Sequence, residues 1–118
     1  MIKADTIAPD ALKISLPERL SADDFRQIAP LVDGIIGRFG QIRLLIDGSR
    51  LHGWRNVEAL ETHASFVRGH QAKVKRIAVI APHEWQHWLI AVARVFVHPE
   101  VKAFAAGQEI EARQWLVQ

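Results

Sequence analysis

Residues 83–87 read His-Glu-Trp-Gln-His. On a helix this His-Glu-x-x-His spacing offers two imidazoles to a zinc ion and a glutamate to activate the bound water. A helical wheel puts His83 and His87 one turn apart on one side, with Trp85, Leu89, Val92 and Phe96 on the other. The surroundings argue against a metal site. No glycine follows the second histidine, and His98 lies beyond the extended spacing of a third ligand. Glu100, Glu109 and Glu111 have nothing to single them out. Arg94, seven residues after His87 on the same side, would repel a dication. His83 follows Pro82 directly, in a first turn where ligand geometry is loosest. His83, Glu84 and His87 therefore read as exposed polar residues at a helix N-terminus, with Glu84 suiting the helix dipole. A zinc hydrolase is the most distant of three functional readings, and neither a metal nor another cofactor is expected.

Other catalytic patterns are missing. The remaining histidines, His52, His63, His70 and His98, lack ligand-like spacing, and there is no nucleophile elbow, P-loop or G-x-G-x-x-G. With no cysteine in the chain, disulfides, thiol catalysis and cysteine-held metals are excluded. One further polar group stands out, in the turn "DGSRLHG": Asp47, Ser49 and His52. Asp-Gly after a strand is turn chemistry first. A phosphate on Ser49 would be repelled by Asp47 and paired by Arg50.

The elements that must carry these residues follow from hydrophobic period. "ALKISL" alternates Leu12, Ile14 and Leu16 with polar neighbours, a half-buried strand ended by Pro17. Ser21 and Asp24 form a near capping box opening a helix through Phe25, Ile28, Val32 and Ile35. Pro30 should kink or split that helix, and Gly37 and Gly40 close it. "IRLLID" (42–47) and "RIAVIA" (76–81) are apolar runs suited to central strands covered on both faces. Between them Trp54, Val57, Leu60, Ala64 and Val67 recur at helical spacing. "PHEWQHWLIAVARVFV" is a third helix, "VKAFAA" a short strand, Gly107 a break and "EIEARQWL" a final helix. Strands alternating with helices predict a single α/β domain over residues 1–118, with a largely parallel or mixed sheet.

Composition agrees. At 118 residues, 49% hydrophobic and 24% charged, the chain can bury a core without staples. No apolar leader or run of about 18 apolar residues is present, which predicts a cytoplasmic protein. The net charge is only +2, but residues 50–76 hold six Arg and Lys against Glu58 and Glu61. Such a basic middle reads first as solvated helix and loop, or as a face toward anionic lipid. Nucleic acid is not an expected partner, because only Trp54 and Phe66 interleave the basic residues.

The stretches "IRLLIDGSRLHGW", "KRIAVIAPHEWQHWL" and "EVKAFAAGQEIEARQWL" together resemble the SpoIIAA-like family, relatives of STAS domains with fold similarity to CRAL-TRIO lipid carriers. The resemblance covers roughly residues 11–117. It implies a single layer of four or five strands, mixed or largely parallel, with helices packed against it, and no catalysis. By analogy it implies either a protein-interaction switch of the anti-sigma-factor-antagonist type or a carrier of non-polar ligands that visits membranes. The switch type carries a modified serine at the start of the helix after its second strand. Here that helix opens near "HGWRN", without Ser or Thr, and the nearest hydroxyl is Ser49.

The third helix is apolar nearly all round from Trp85 onward, with Trp88, Ile90, Ala93, Val95 and Val97 added to its sheet-facing residues. Such a helix needs cover on more than one side. A homodimer, a lipid-like ligand or a membrane surface would supply it. The leading expectation is thus a non-enzymatic domain holding a non-polar ligand between the second and third helices, lined by Trp54, Trp85, Trp88, Leu89, Val92 and Phe96. Reversible peripheral membrane contact would accompany it. The alternative is a regulatory module binding a protein partner, with Asp47, Ser49 and His52 as the regulatory turn.

Overall fold

The computed structural model describes residues 2–50, 53–54, 69, 73–80 and 100–118. Its centre is a five-stranded sheet. Strand β1 (Lys3–Ala8) forms an antiparallel hairpin with β2 (Ala11–Ser15). After β3 (Arg19–Leu20) and helix α1 (Ala22–Phe39) come β4 (Ile42–Asp47), β5 (Gly53–Trp54), β6 (Val74–Ile80) and β7 (Glu100–Phe104), then helix α2 (Glu109–Leu116). The main sheet has the order β1-β2-β4-β6-β7, and every pairing after the first is parallel. β3 and β5 pair separately as a two-stranded parallel ribbon. The sheet is mixed, one of the arrangements that the alternation of elements predicts, and its five strands form the single layer that the resemblance implies. The expected helices between β5 and β6 and between β6 and β7 lie outside the described residues.

Alternation along the strands sorts side chains into two cores. On one face Leu12, Ile14, Ile42, Leu44, Val74 and Ile77 pack with Ile28 and Val32 of α1. On the other Ala11, Leu45, Ala78, Ile80 and Phe104 pack with Ala112 and Leu116 of α2. Leu45 and Ile42 are fully buried although they are near neighbours on β4, because successive residues face opposite layers. This is why β4 and β6 read as nearly continuous apolar runs.

Helix α1 begins where Ser21 caps it. Asp24 N–H donates to Ser21 Oγ at 3.3 Å, and Ser21 N–H donates back to Asp24 Oδ2 at 2.9 Å. Asp23 and Asp24 in the first turn and Arg38 in the last complement the dipole. The helix ends at Gly40, whose φ of 76° is the left-handed conformation that glycine adopts without strain. Two expectations need correction. Pro30 does not split α1, which runs unbroken over 18 residues. Pro30 sits on the exposed face, so the hydrogen bond it removes lies on the solvent side. The sheet also begins one strand earlier than the pattern suggested. In β1, Lys3, Asp5 and Thr6 are exposed, so an edge strand left few apolar positions to signal it.

Candidate functional site

The polar turn after β4 is built from the sheet outward. Lys3 pairs with Ser15, and Ser15 with Asp47, so one row of side chains crosses three strands at the carboxyl ends of β2 and β4. Leu16 N–H donates to the Asp47 carbonyl at 2.9 Å, and Gly48 N–H donates to the Ile80 carbonyl at 2.7 Å. The backbone on both sides of Asp47 is thereby tied to neighbouring strands. The Asp47 carboxylate closes the turn: its Oδ1 accepts from Ser49 N–H at 3.1 Å and from Ser49 Oγ at 2.7 Å. This is an Asx turn reinforced by the serine hydroxyl, which disfavours any other orientation of either side chain. Asp47 and Ser49 are half-buried and Arg50 is exposed.

Beside the turn lies a cleft of about 610 Å³. Its floor and walls come from Ser15, Leu16 and Pro17 at the end of β2, Lys3 from the edge strand, and Glu18 and Arg19 leading into β3. Asp47, Ser49 and Arg50 also line it. The β3–β5 ribbon pairs Arg19 with Gly53, which ties the segment after β2 to the segment after Arg50. Open α/β sheets bind ligands outside the carboxyl ends of their strands, where this cleft lies.

The same sheet face carries a second polar cluster under α2. Lys13 Nζ donates to Glu109 Oε1 at 2.6 Å, and Arg113 Nη2 lies 3.1 Å from Glu109 Oε2. The hydrogen bond from Lys13 holds the Glu109 carboxyl below the usual glutamate range, against partial burial that pushes it upward. At the other end of α2, Arg43 Nη1 donates to the Leu116 carbonyl at 3.3 Å and Arg76 Nη1 donates to the Trp115 carbonyl at 2.7 Å. The Arg76 guanidinium also lies 5.0 Å from the Trp115 ring centroid. These groups satisfy a helix end and read as structural.

Of the residues singled out in the sequence, the structure brings Asp47 and Ser49 together. Trp54 is in β5, on the ribbon that borders the cleft. His52, Trp85, Trp88, Leu89, Val92 and Phe96 lie outside the described residues, as do His83, Glu84 and His87. Among the described residues no cluster of three or more metal-ligating side chains occurs, and no helix is long and apolar enough to cross a membrane. Sequence reasoning missed Lys3, Ser15 and Arg19 as neighbours of the turn. Only the β1–β2 register joins the first two, and without β1 in the pattern that register is invisible.

Comparison with known proteins agrees with this architecture. The sequence model of the family described as SpoIIAA-like matches residues 11–117. Among solved structures, an uncharacterised protein from Shewanella loihica with a SpoIIAA-like fold is similar at 27% identity and a TM-score of 0.79, over 98% of this chain and 92% of that one. The anti-sigma factor antagonist SpoIIAA in its unphosphorylated form is similar at 13% identity and a TM-score of 0.64, over 97% and 98% of the two chains. The Bacillus cell fate determinant SpoIIAA in its phosphorylated form follows at 11% identity and 0.58, over 94% and 97%. At such identities these last two show the fold alone. No curated protein sequence matches the chain significantly.

Proposed function

The chain belongs to the SpoIIAA-like family, and from that premise we propose that it is a non-enzymatic regulatory module that binds a protein partner through the rim formed by the β4 turn and the segment after β2. The observation that carries this reading is the fixed turn Asp47–Arg50, held by Asp47 Oδ1 on one side and by the Gly48–Ile80 hydrogen bond on the other. A recognition loop anchored to a sheet loses little entropy when a partner docks on it. SpoIIAA, a fold neighbour, is an anti-sigma factor antagonist known in phosphorylated and unphosphorylated forms. In this chain the hydroxyl nearest the corresponding region is Ser49. A negative charge there would sit beside Asp47 and break the hydroxyl's hydrogen bond.

A second reading rests on the sequence of residues 85–97, whose apolar residues suit a non-polar, lipid-like ligand with reversible membrane contact. Native mass spectrometry of the untagged chain purified from its own cells separates the two. The regulatory reading expects a complex whose extra mass is a second protein. A small excess mass that vanishes on denaturation would favour the lipid-like ligand instead. A bare homodimer would assign the apolar segment to self-association and count against both.

A further inference from the structure

The cleft beside the β4 turn is lined, among the described residues, by three cations, Lys3, Arg19 and Arg50. Among the described residues none of the three side chains has an ion pair, hydrogen bond or ring contact. Every other arginine and lysine described on the strands of this sheet face is engaged: Lys13 with Glu109, Arg43 with Leu116, Arg76 with Trp115, and Lys102 over the Phe104 ring. Two carboxylates among the described residues, Glu18 and Asp47, share the cleft, but Asp47 commits an oxygen to Ser49. Positive charge is therefore in excess and uncommitted at one concave place.

We infer that this cleft binds a small organic phosphate, a phosphomonoester whose organic body lies against the apolar wall of the cleft. Two guanidinium groups can each offer a planar pair of N–H donors to phosphate oxygens, with the Lys3 ammonium as a third point charge. The Ser15 hydroxyl, on the row between Lys3 and Asp47, adds a donor from the floor. Ser49 Oγ donates to Asp47 and so presents only acceptor capacity to a ligand. The volume of about 610 Å³ is in the range of pockets that hold small organic molecules, and it leaves space beyond one phosphate. Leu16 and Pro17 give that space an apolar wall, while Glu18 on the rim accepts from a hydroxyl or amine of the ligand body. The inference is independent of the partner reading: the cleft binds its anion whether or not a protein docks on the rim.

The test is an NMR titration in phosphate-free, low-salt buffer with inorganic phosphate and with phenyl phosphate. The wild-type chain is compared with the double variant Arg19→Gln/Arg50→Gln. Saturable shifts confined to amides of residues 3, 15–16, 18–19 and 47–50 are expected, with phenyl phosphate the tighter of the two. Affinity in the double variant should fall by about tenfold or more, each tenfold being about 1.4 kcal/mol. Both arginines are exposed, so the variant keeps the amide spectrum of the folded protein. Absence of saturable binding by the wild type, equal affinity in the double variant, or shifts centred elsewhere overturns the inference. Equal affinity for the two probes overturns the claim that the site takes an organic body.

Discussion

Arg43 and Arg76 stand opposite one another in the parallel register of β4 and β6, and each donates to a carbonyl in the last turn of α2. Two neighbouring strands thus provide the C-terminal cap that the helix lacks in its own sequence, since Val117 stands at its C-cap in place of a glycine. The guanidinium charges also oppose the negative end of the helix dipole. Their Nε atoms are buried without a hydrogen bond, and each lies 3.5 Å from a carboxylate oxygen, of Asp10 for Arg43 and of Glu100 for Arg76.

Arg76→Ala should therefore loosen α2. It removes the guanidinium over the indole and the charged donor to the Trp115 carbonyl, leaving only the backbone N–H groups of Val117 and Gln118 there, and a charge-assisted bond of this kind is worth about 1.5–3 kcal/mol. Denaturant unfolding should show a loss of that order, with faster amide exchange in residues 109–116. Arg76→Lys should recover only part of it, because a lysine cannot serve the carbonyl and the ring with one plane.

The contact between Lys13 and Glu109 predicts a pH dependence. The folded-state value of Glu109 is lowered, so its contribution is present above the unfolded carboxylate value of about 4.3 and is lost as pH falls through the lower folded value. Unfolding free energies of wild type and Glu109→Gln should differ at neutral pH and converge in strong acid. Glu109 is a third exposed, so the difference at neutral pH should be small. A gap that widens on acidification would contradict the sign.

Leu45 is fully buried in the core beneath α2. Leu45→Ala should cost about 2–5 kcal/mol, since a packed sheet centre relaxes poorly around a cavity. Chemical denaturation measures this directly.

Ser21→Ala removes both the acceptor for Asp24 N–H and the hydroxyl bonded to its carboxylate. The expected loss is about 0.5–2 kcal/mol, and Ser21→Gly should cost a few tenths. Thermal melts of the two variants check the order.

Much of this fold is legible in the chain. β4 spans the residues that the apolar run marked, and α2 spans "EIEARQWL". Ser21, Asp24 and Gly40 announce the two ends of α1 by local chemistry that needs no tertiary partner. What could not be seen is set by pairing. β1 is an edge strand with exposed polar positions, and the two-residue strands β3 and β5 exist only because each finds the other. The site divides the same way. Asp47 and Ser49 are two residues apart and show themselves as a turn, whereas Lys3 and Arg19 reach the cleft through the sheet register and the ribbon.

The measurement that tests the regulatory reading most directly is quantitative affinity capture from the source cells. Tagged wild-type chain would be compared with Ser49→Asp, after confirming that the variant is folded by its amide spectrum. The account predicts at least one protein enriched in stoichiometric amount by the wild type and lost with Ser49→Asp, because the new carboxylate faces Asp47 and opens the turn. A partner retained equally by the variant, or no stoichiometric partner at all, would contradict it.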